Sequence, residues 1–123
     1  MSEQKSTYTT RDDALVASWE ACGSPCGLAD WFLSFAEWEV RPVILAGVVV
    51  GAVFAKGAEV HVAVRREHHR KWATPSLYRW AITDRLKEYG MLFTKGKSDN
   101  EFIRRAGFRP VGENNGVTLY AMP

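Results

Sequence analysis

The stretch that decides the fold covers residues 59–89 and reads EVHVAVRREHHRKWATPSLYRWAITDRLKEY. In its first six residues Val alternates with other types, a pattern that is typical of a half-buried β-strand. Thr74 and Pro75 then predict the start of a long helix, because Thr is a good N-cap and Pro suits the first helical position. The helix has one apolar stripe, formed by Tyr78, Ile82, Leu86 and Tyr89. Gly90 ends the helix, so the stretch predicts a strand, a basic loop and a helix.

Two helices and two strands are predicted before this stretch. Thr10 is a suitable N-cap for the first helix, which Gly23 ends. The second helix begins at Asp30. It carries four aromatic side chains at helical spacing, namely Trp31, Phe32, Phe35 and Trp38. Residues 43–45 and 48–54 are rich in β-branched side chains and are separated by a glycine-containing break. They predict an antiparallel meander with the strand described above.

The sequence after the long helix predicts a strand, a short helix and a closing hairpin. The three strands of this part are predicted at residues 91–94, 108–111 and 117–122. Ser98 and Glu101 form a capping box for the short helix, which ends at Gly107. The last two strands pair around residues 112–116. The predicted order is α-α-β-β-β-α-β-α-β-β, an α+β fold with a mixed, mostly antiparallel sheet flanked by helices.

Length and composition predict one domain that spans residues 1–123. The chain is 46% hydrophobic and 24% charged, close to the globular average, which excludes a disordered tail and a fibrous repeat. Two cysteines are too few for a disulfide scaffold. No apolar run reaches the roughly 18 residues that span a bilayer. The first residues lack the apolar core of a secretory signal, so we expect a cytoplasmic protein.

Charge is distributed unevenly, although the net charge is only +2. Residues 1–40 hold two basic and seven acidic residues, whereas residues 41–110 hold fourteen basic and six acidic ones. A basic segment of this size favours an anionic partner, either a phosphate-bearing cofactor or, less strongly, nucleic acid. A solvated basic surface without a partner is the alternative.

The second half of the chain carries the pattern of a known family. Residues 60–64, 65–74 and 74–89 are arranged as a central strand, a loop and a long helix, and residues 102–112 read FIRRAGFRPVG. In both respects the chain resembles the GNAT superfamily of acetyl-CoA-dependent N-acetyltransferases. It is also similar to the short GNAT-like proteins of tailed bacteriophages. The resemblance implies a GNAT-like fold, acetyl-CoA as cofactor, and transfer of an acetyl group to an amine on a small molecule or a protein.

The basic loop at residues 69–74 is the candidate cofactor site. Its members are His69, Arg70, Lys71, Trp72, Ala73 and Thr74. Its position before a helix suits a phosphate, because helix N-terminal amides and the charges of Arg70 and Lys71 favour an anion. The resemblance implies that these amides bind the pyrophosphate of acetyl-CoA. It also implies that Val62 and Val64 of the preceding strand contribute to cofactor binding, with the backbone of Val62 on the pantetheine arm.

Three residues depart from the family pattern. Trp72 and Thr74 stand where the family has glycines, which let the backbone approach phosphate closely. Ile103 stands where many members have a tyrosine that acts as general acid, and isoleucine has no proton to give. Trp72 is predicted to be a core residue. The alternative is an exposed platform on which single-stranded nucleic acid stacks.

Glu59 and His61 are the candidate catalytic bases. They lie on one face of the predicted strand, because side chains alternate along it. The implied reaction needs a base that takes a proton from the acceptor ammonium, and an imidazole or a carboxylate serves this purpose. The alternative is a structural hydrogen-bonded pair at the edge of the sheet.

The remaining reactive side chains predict no metal site. His68 and His69 are adjacent and point apart, and Cys22 and Cys26 have no matching second pair downstream. We expect both cysteines to be free thiols. The aromatic residues of the second helix are predicted to pack in the core, with an acceptor pocket or a partner interface as the alternatives.

Two functions from different classes therefore stay open. One is an acyl-CoA-dependent N-acetyltransferase. The other is a catalytically silent GNAT-fold phage protein, located in the virion or the host cytoplasm, that acts as a virion component or binds a host protein. A homo-oligomer is compatible with both. The missing glycines and tyrosine favour the silent protein, whereas the basic loop and the capped helix favour cofactor binding.

Overall fold

The computed structural model describes residues 3–97 and 100–123. Its helices are α1 (Glu3–Ala21), α2 (Leu28–Ser34), α3 (Pro75–Tyr78), α4 (Asp84–Tyr89) and α5 (Glu101–Arg105). Its strands are β1 (Glu39–Leu45), β2 (Val48–Lys56), β3 (Glu59–Val64), β4 (Leu92–Lys97), β5 (Arg109–Asn114) and β6 (Val117–Met122). A 3-10 turn at Arg66–His68 follows β3, and a π-helical segment at Arg79–Thr83 joins α3 to α4. With α3 to α4 counted as one crossover helix, the predicted element order is confirmed.

The six strands form one mixed sheet in the order β1-β2-β3-β4-β6-β5. Neighbouring strands are antiparallel except β3 and β4, which run parallel and share a single residue pair, Glu59 with Phe93. Parallel neighbours require a crossover connection, which here is the α3–α4 helix. The predicted α+β class with a mostly antiparallel sheet is confirmed.

Helices cover both faces of the sheet, and each side has its own apolar core. On the face covered by α1 and α2, Leu15 and Phe54 are fully buried. On the face covered by the crossover helix and α5, Leu92 and Tyr120 are fully buried. The neighbours Val53 and Phe54 of β2 belong to opposite cores, because side chains alternate along a strand. Strand β2 is therefore buried on both faces.

A buried arginine ties the crossover helix to the β1 edge of the sheet. Arg85 of α4 is only 7% exposed. Its guanidinium donates hydrogen bonds to the Gly57 carbonyl at 3.1 Å and to Glu39 Oε2 at 2.9 Å. The Trp80 ring contacts both Arg85 and Arg41, whose Cζ atoms lie 5.0 and 4.4 Å from its centroid. These contacts offset part of the cost of removing the guanidinium from water, since its buried Nε has no hydrogen-bond partner among the described residues.

Several boundaries in the N-terminal half and at the crossover helix differ from the prediction. Helix α1 begins at Glu3 rather than after Thr10, because no glycine or proline precedes Thr10 to stop the helix from extending. Helix α2 starts before the predicted Asp30 and ends before Trp38. Thr74 takes the predicted N-cap position of α3, but its side chain makes no capping hydrogen bond.

The cap and the turn near the C-terminus also differ from the prediction. The predicted cap residue Ser98 lies outside the described residues. The N-cap of α5 is Asn100, whose Oδ1 accepts a hydrogen bond from the Ile103 amide at 3.1 Å. Strand β5 extends further than predicted, so the hairpin turn consists of Asn115 and Gly116, both at positive φ. Asn-Gly suits a two-residue type I′ turn, which explains why the loop is short.

Replacing Gly51 with alanine tests how closely β2 packs against β3. A Cβ atom at Gly51 would lie 2.2 Å from the Ala63 carbonyl oxygen and 2.5 Å from Cγ1 of Val64, so β3 would have to shift. We expect Gly51→Ala to lower the free energy of unfolding by about 2–3 kcal/mol in urea denaturation. The control is Gly112→Ala, because a Cβ atom there meets nothing within 4 Å. It should change stability by less than about 0.5 kcal/mol, and equal losses in both variants would contradict this packing.

Candidate functional site

The opening between β3 and β4 is the candidate functional site. The two strands meet only where β4 begins, where the Phe93 amide donates to the Ala58 carbonyl at 2.9 Å. Beyond the pair of Glu59 and Phe93, no ladder pairing joins the described residues of these strands. Backbone groups alternate in direction along a strand. The amide and carbonyl of Val62, four residues after Ala58, therefore point into the opening.

The opening leads into a mostly apolar cleft of about 140 Å³. Its walls come from β3, β4, α5 and the basic loop. They include His61 and Val62, Thr94, Phe102 and Ile103, and Trp72. A narrow apolar cleft with a few polar groups at one side suits an extended small ligand.

Glu59 and His61 are joined by a short hydrogen bond beside the cleft. His61 Nε2 lies 2.6 Å from Glu59 Oε2, and the two side chains are 28% and 21% exposed. The other ring nitrogen, Nδ1, lies 3.2 Å from Thr94 Oγ1. The Trp38 ring packs against the imidazole, with centroids 5.4 Å apart. The structure thus brings the two candidate bases together and adds the buried Thr94 to them.

Sequence reasoning misses Thr94. The residue ends the predicted fourth strand, and no motif marks it. Its contact with His61 joins positions 33 residues apart in the chain. Such a contact depends on the register between two parallel strands, which the local sequence pattern does not specify.

The basic loop is held by backbone hydrogen bonds, two of them to the 3-10 turn that precedes it. Three of its amides donate to carbonyls two or three residues earlier in the chain, at 3.1, 2.9 and 3.0 Å, and they belong to His69, Lys71 and Thr74. These three amides already donate hydrogen bonds to the backbone. The side chains of Arg70 and Lys71 are exposed. The positive charge of the loop is accordingly accessible to an anion.

A second depression of about 240 Å³ lies between the basic loop and α5, and we call it the outer depression. Arg70 and Arg105 supply its positive charge. The imidazole of His69 stacks on Phe102 beside them, with ring centroids 4.0 Å apart. Trp72 and Phe102 line both the outer depression and the cleft, so the two spaces are adjacent.

The predicted cofactor residues fall into two groups. Those that line the cleft or the outer depression are Val62, His69, Arg70, Trp72 and Ala73. Val64, Lys71 and Thr74 line neither space. Val64 is buried in the core on the side of the crossover helix.

Known proteins match this chain in structure rather than in sequence. No protein-family model matches the sequence, and no curated protein matches it. The crystal structure of a ribosomal-protein-alanine N-acetyltransferase from Brucella melitensis is similar, with a TM-score of 0.53 and 15% sequence identity. The similarity covers 78% of this chain and 78% of that one. The chain has a GNAT-like fold. At this level of identity the likeness establishes the fold alone.

Trp72 is a core residue of this GNAT-like fold. It is 4% exposed. Its indole lies against the rings of Tyr78 and Phe102, with centroids 6.4 Å away in each case. The prediction of a core role is confirmed, and the alternative of an exposed stacking platform is wrong.

Removing the Trp72 indole should destabilise the GNAT-like fold. We expect Trp72→Ala to lower the free energy of unfolding by about 3–5 kcal/mol, because a buried aromatic side chain leaves a cavity. Urea denaturation followed by circular dichroism measures the change. Trp72→Phe keeps a ring and should lose clearly less. A loss for Trp72→Ala below about 1 kcal/mol would contradict the core role.

The aromatic residues around α2 also belong to the core of the GNAT-like fold. Phe35 stacks on Phe54 with centroids 4.1 Å apart, and Trp31 meets Phe54 edge-on at 6.3 Å. The predicted core packing is confirmed for these rings. Trp38 extends the cluster to His61 and so connects the core on the α1–α2 side with the candidate site.

The two cysteines do not line the cleft or the outer depression. Cys22 and Cys26 are free thiols, as predicted. Although Cys22 is exposed as a residue, partial desolvation raises the pKa of its thiol, which lowers the share of reactive thiolate. Among the residues that the structure describes, no group of three or more His, Cys, Asp or Glu side chains is placed to hold a metal ion. Nor is any described helix long and apolar enough to cross a membrane.

Proposed function

We propose that the protein is an acyl-CoA-dependent N-acetyltransferase that transfers an acetyl group from acetyl-CoA to an amine. The observation that carries the proposal is the hydrogen-bonded pair of Glu59 and His61, placed where β3 and β4 part. The reaction needs a base for the acceptor and a narrow site that orients an activated acyl group. The acceptor is an amine-bearing small molecule or protein.

The cleft and the outer depression fit the two ends of acetyl-CoA. The backbone groups of Val62 that face the opening suit an amide-containing pantetheine arm, and the apolar walls suit its carbon chain. Arg70 and Arg105 suit the phosphates, since charge-assisted hydrogen bonds to phosphate are strong. Because three loop amides already donate hydrogen bonds to nearby backbone carbonyls, side-chain charges provide more of the phosphate binding than the family pattern implies. When bound, acetyl-CoA supplies a thioester carbon that an amine attacks.

In the proposed reaction His61 is the base, and Glu59 stabilises its protonated form. An acceptor ammonium must lose a proton before its nitrogen has a lone pair for attack. Imidazole is a suitable base near neutral pH. The Glu59 carboxylate, 2.6 Å from Nε2, stabilises the imidazolium that forms. The Trp38 ring packed on His61 holds the imidazole in place.

Calorimetric titration of the full chain with acetyl-CoA tests the proposed function, and we expect micromolar affinity. Arg70→Ala combined with Arg105→Ala should weaken binding about tenfold or more, because each charge-assisted contact contributes roughly 1.5–3 kcal/mol. The control combines Arg79→Ala with Lys87→Ala, which removes two charges from exposed positions outside the depression. It should change affinity less than about threefold. Absence of heat at millimolar acetyl-CoA would contradict the proposal.

Ile103 lines the cleft, and it stands where the GNAT resemblance implies a tyrosine that gives a proton to the leaving thiolate. A thiol has a pKa of about 8.5, so a thiolate leaves without assistance, and we expect slow turnover. Ile103→Tyr adds a phenol and should raise kcat by about 10²-fold, since general acid help is typically worth ~10²–10⁴-fold. Ile103→Phe is the matched control, because it adds the ring without the hydroxyl. Equal rates for both variants in an acetyl-transfer assay would argue against this placement of the acid.

A catalytically silent protein of the same fold is the second candidate function. The engaged amides of the basic loop and the apolar Ile103 favour it. In this role the protein is a virion component or binds a host protein, in line with the resemblance to phage-encoded chains. Nucleic acid is the less favoured partner, because Trp72 is buried and only the basic loop supports it. Failure to bind acetyl-CoA, together with no turnover on a broad panel of amines, would favour the silent protein.

A further inference from the structure

Thr94 connects the pair of Glu59 and His61 to the interior of the cleft. Its Oγ1 lies 3.2 Å from His61 Nδ1, and Glu59 Oε2 lies 2.6 Å from Nε2. An ionised carboxylate only accepts hydrogen bonds, so the proton of the neutral imidazole belongs on Nε2. Nδ1 is then an acceptor, and the Thr94 hydroxyl donates to it. The hydrogen bonds run in one direction, from Thr94 through His61 to Glu59.

Both ring nitrogens of His61 are occupied in this arrangement. A ligand in the cleft reaches Nδ1 only by displacing the Thr94 hydroxyl, and Nε2 is held by Glu59. The Thr94 oxygen keeps accepting capacity, because a hydroxyl donates one hydrogen bond and accepts up to two. Thr94 lines the cleft and is only 5% exposed, so bulk water competes little for this oxygen.

We infer that Thr94 receives the proton of the acceptor and passes its own hydroxyl proton to His61, an inference that rests on the proposed acetyl transfer. The acceptor ammonium gives a proton to Thr94 Oγ1 while the hydroxyl proton moves to Nδ1. This leaves an amine, an intact hydroxyl and an imidazolium. Thr94 is thus the group of the Glu59–His61–Thr94 chain that touches the acceptor.

The remaining steps balance without a further reagent. The amine nitrogen forms a bond to the acyl carbon, and the carbon–sulfur bond breaks with its electron pair on sulfur. The second nitrogen proton goes to the sulfur, which yields an amide and a free thiol. His61 then loses its proton to solvent, and the Glu59–His61–Thr94 chain returns to its starting state.

Two substitutions of Thr94 test this role in the full chain. Thr94→Val removes the hydroxyl at nearly constant shape, and we expect kcat for acetyl transfer to fall about 100-fold or more. The KM for acetyl-CoA should stay within about twofold, because valine keeps the shape of the cleft wall at this position. Thr94→Ser keeps the hydroxyl and should retain kcat within about tenfold. Equal kcat in the wild type and Thr94→Val would overturn the relay and leave the proposed function standing.

Nitrogen-15 NMR of the labelled wild-type chain provides a readout that does not depend on activity. We expect His61 to carry its proton on Nε2, and the Nδ1 resonance to shift in Thr94→Val. A proton on Nδ1 in the neutral ring would overturn the relay whatever the turnover. Absence of transfer by the wild type would end the proposed function as well as the relay. An acetyl group found on Thr94 by mass spectrometry would make it a nucleophile and overturn the relay.

Discussion

The parting of β3 from β4 after one residue pair is the constraint on which the rest of the molecule depends. Strand β3 is paired with β2 along its length, and β4 with β6, so the sheet consists of two halves that meet at Glu59 and Phe93. Ladder hydrogen bonds that are not made cost stability unless the freed backbone groups find other partners. The side chains of Trp72, Ile82 and Phe102 line the cleft.

The contact between His61 and Thr94 exists because the strands diverge. If the register of Glu59 with Phe93 continued as a regular ladder, His61 would lie beside Lys95. Thr94 would then point to the opposite face, because successive side chains alternate. Across the opening, the Thr94 hydroxyl lies 3.2 Å from Nδ1 of the imidazole. One departure from regular pairing thus provides both a space for an extended ligand and a hydrogen-bonded chain beside it.

Trp72 adds a buried side chain to the basic loop and removes the backbone freedom that a glycine would give. A glycine loop of the kind that the GNAT resemblance implies lets amides approach a phosphate closely. Here a buried indole anchors the loop against Tyr78 and Phe102. In the proposed function, recognition of the phosphates then depends on Arg70 and Arg105, whose long side chains lose more conformational entropy on binding than preformed amides do.

The sequence by itself determined the order of elements, the α+β class and the placement of Glu59 and His61 on one face of a strand. These depend on local signals: alternation along a strand, Pro75 at a helix start, and glycines at helix ends and turns. The sequence did not determine every element boundary. Helix α1 begins before Thr10, which shows that a good N-cap residue does not fix the start of a helix when no glycine or proline precedes it. Only the tertiary structure decided that β3 and β4 part, which loop amides are engaged, and that Thr94 completes the hydrogen-bonded chain. These features depend on the relative position of the two halves of the sheet, which a crossover helix joins. That position is set by contacts between residues far apart in the chain, so no short stretch of sequence specifies it.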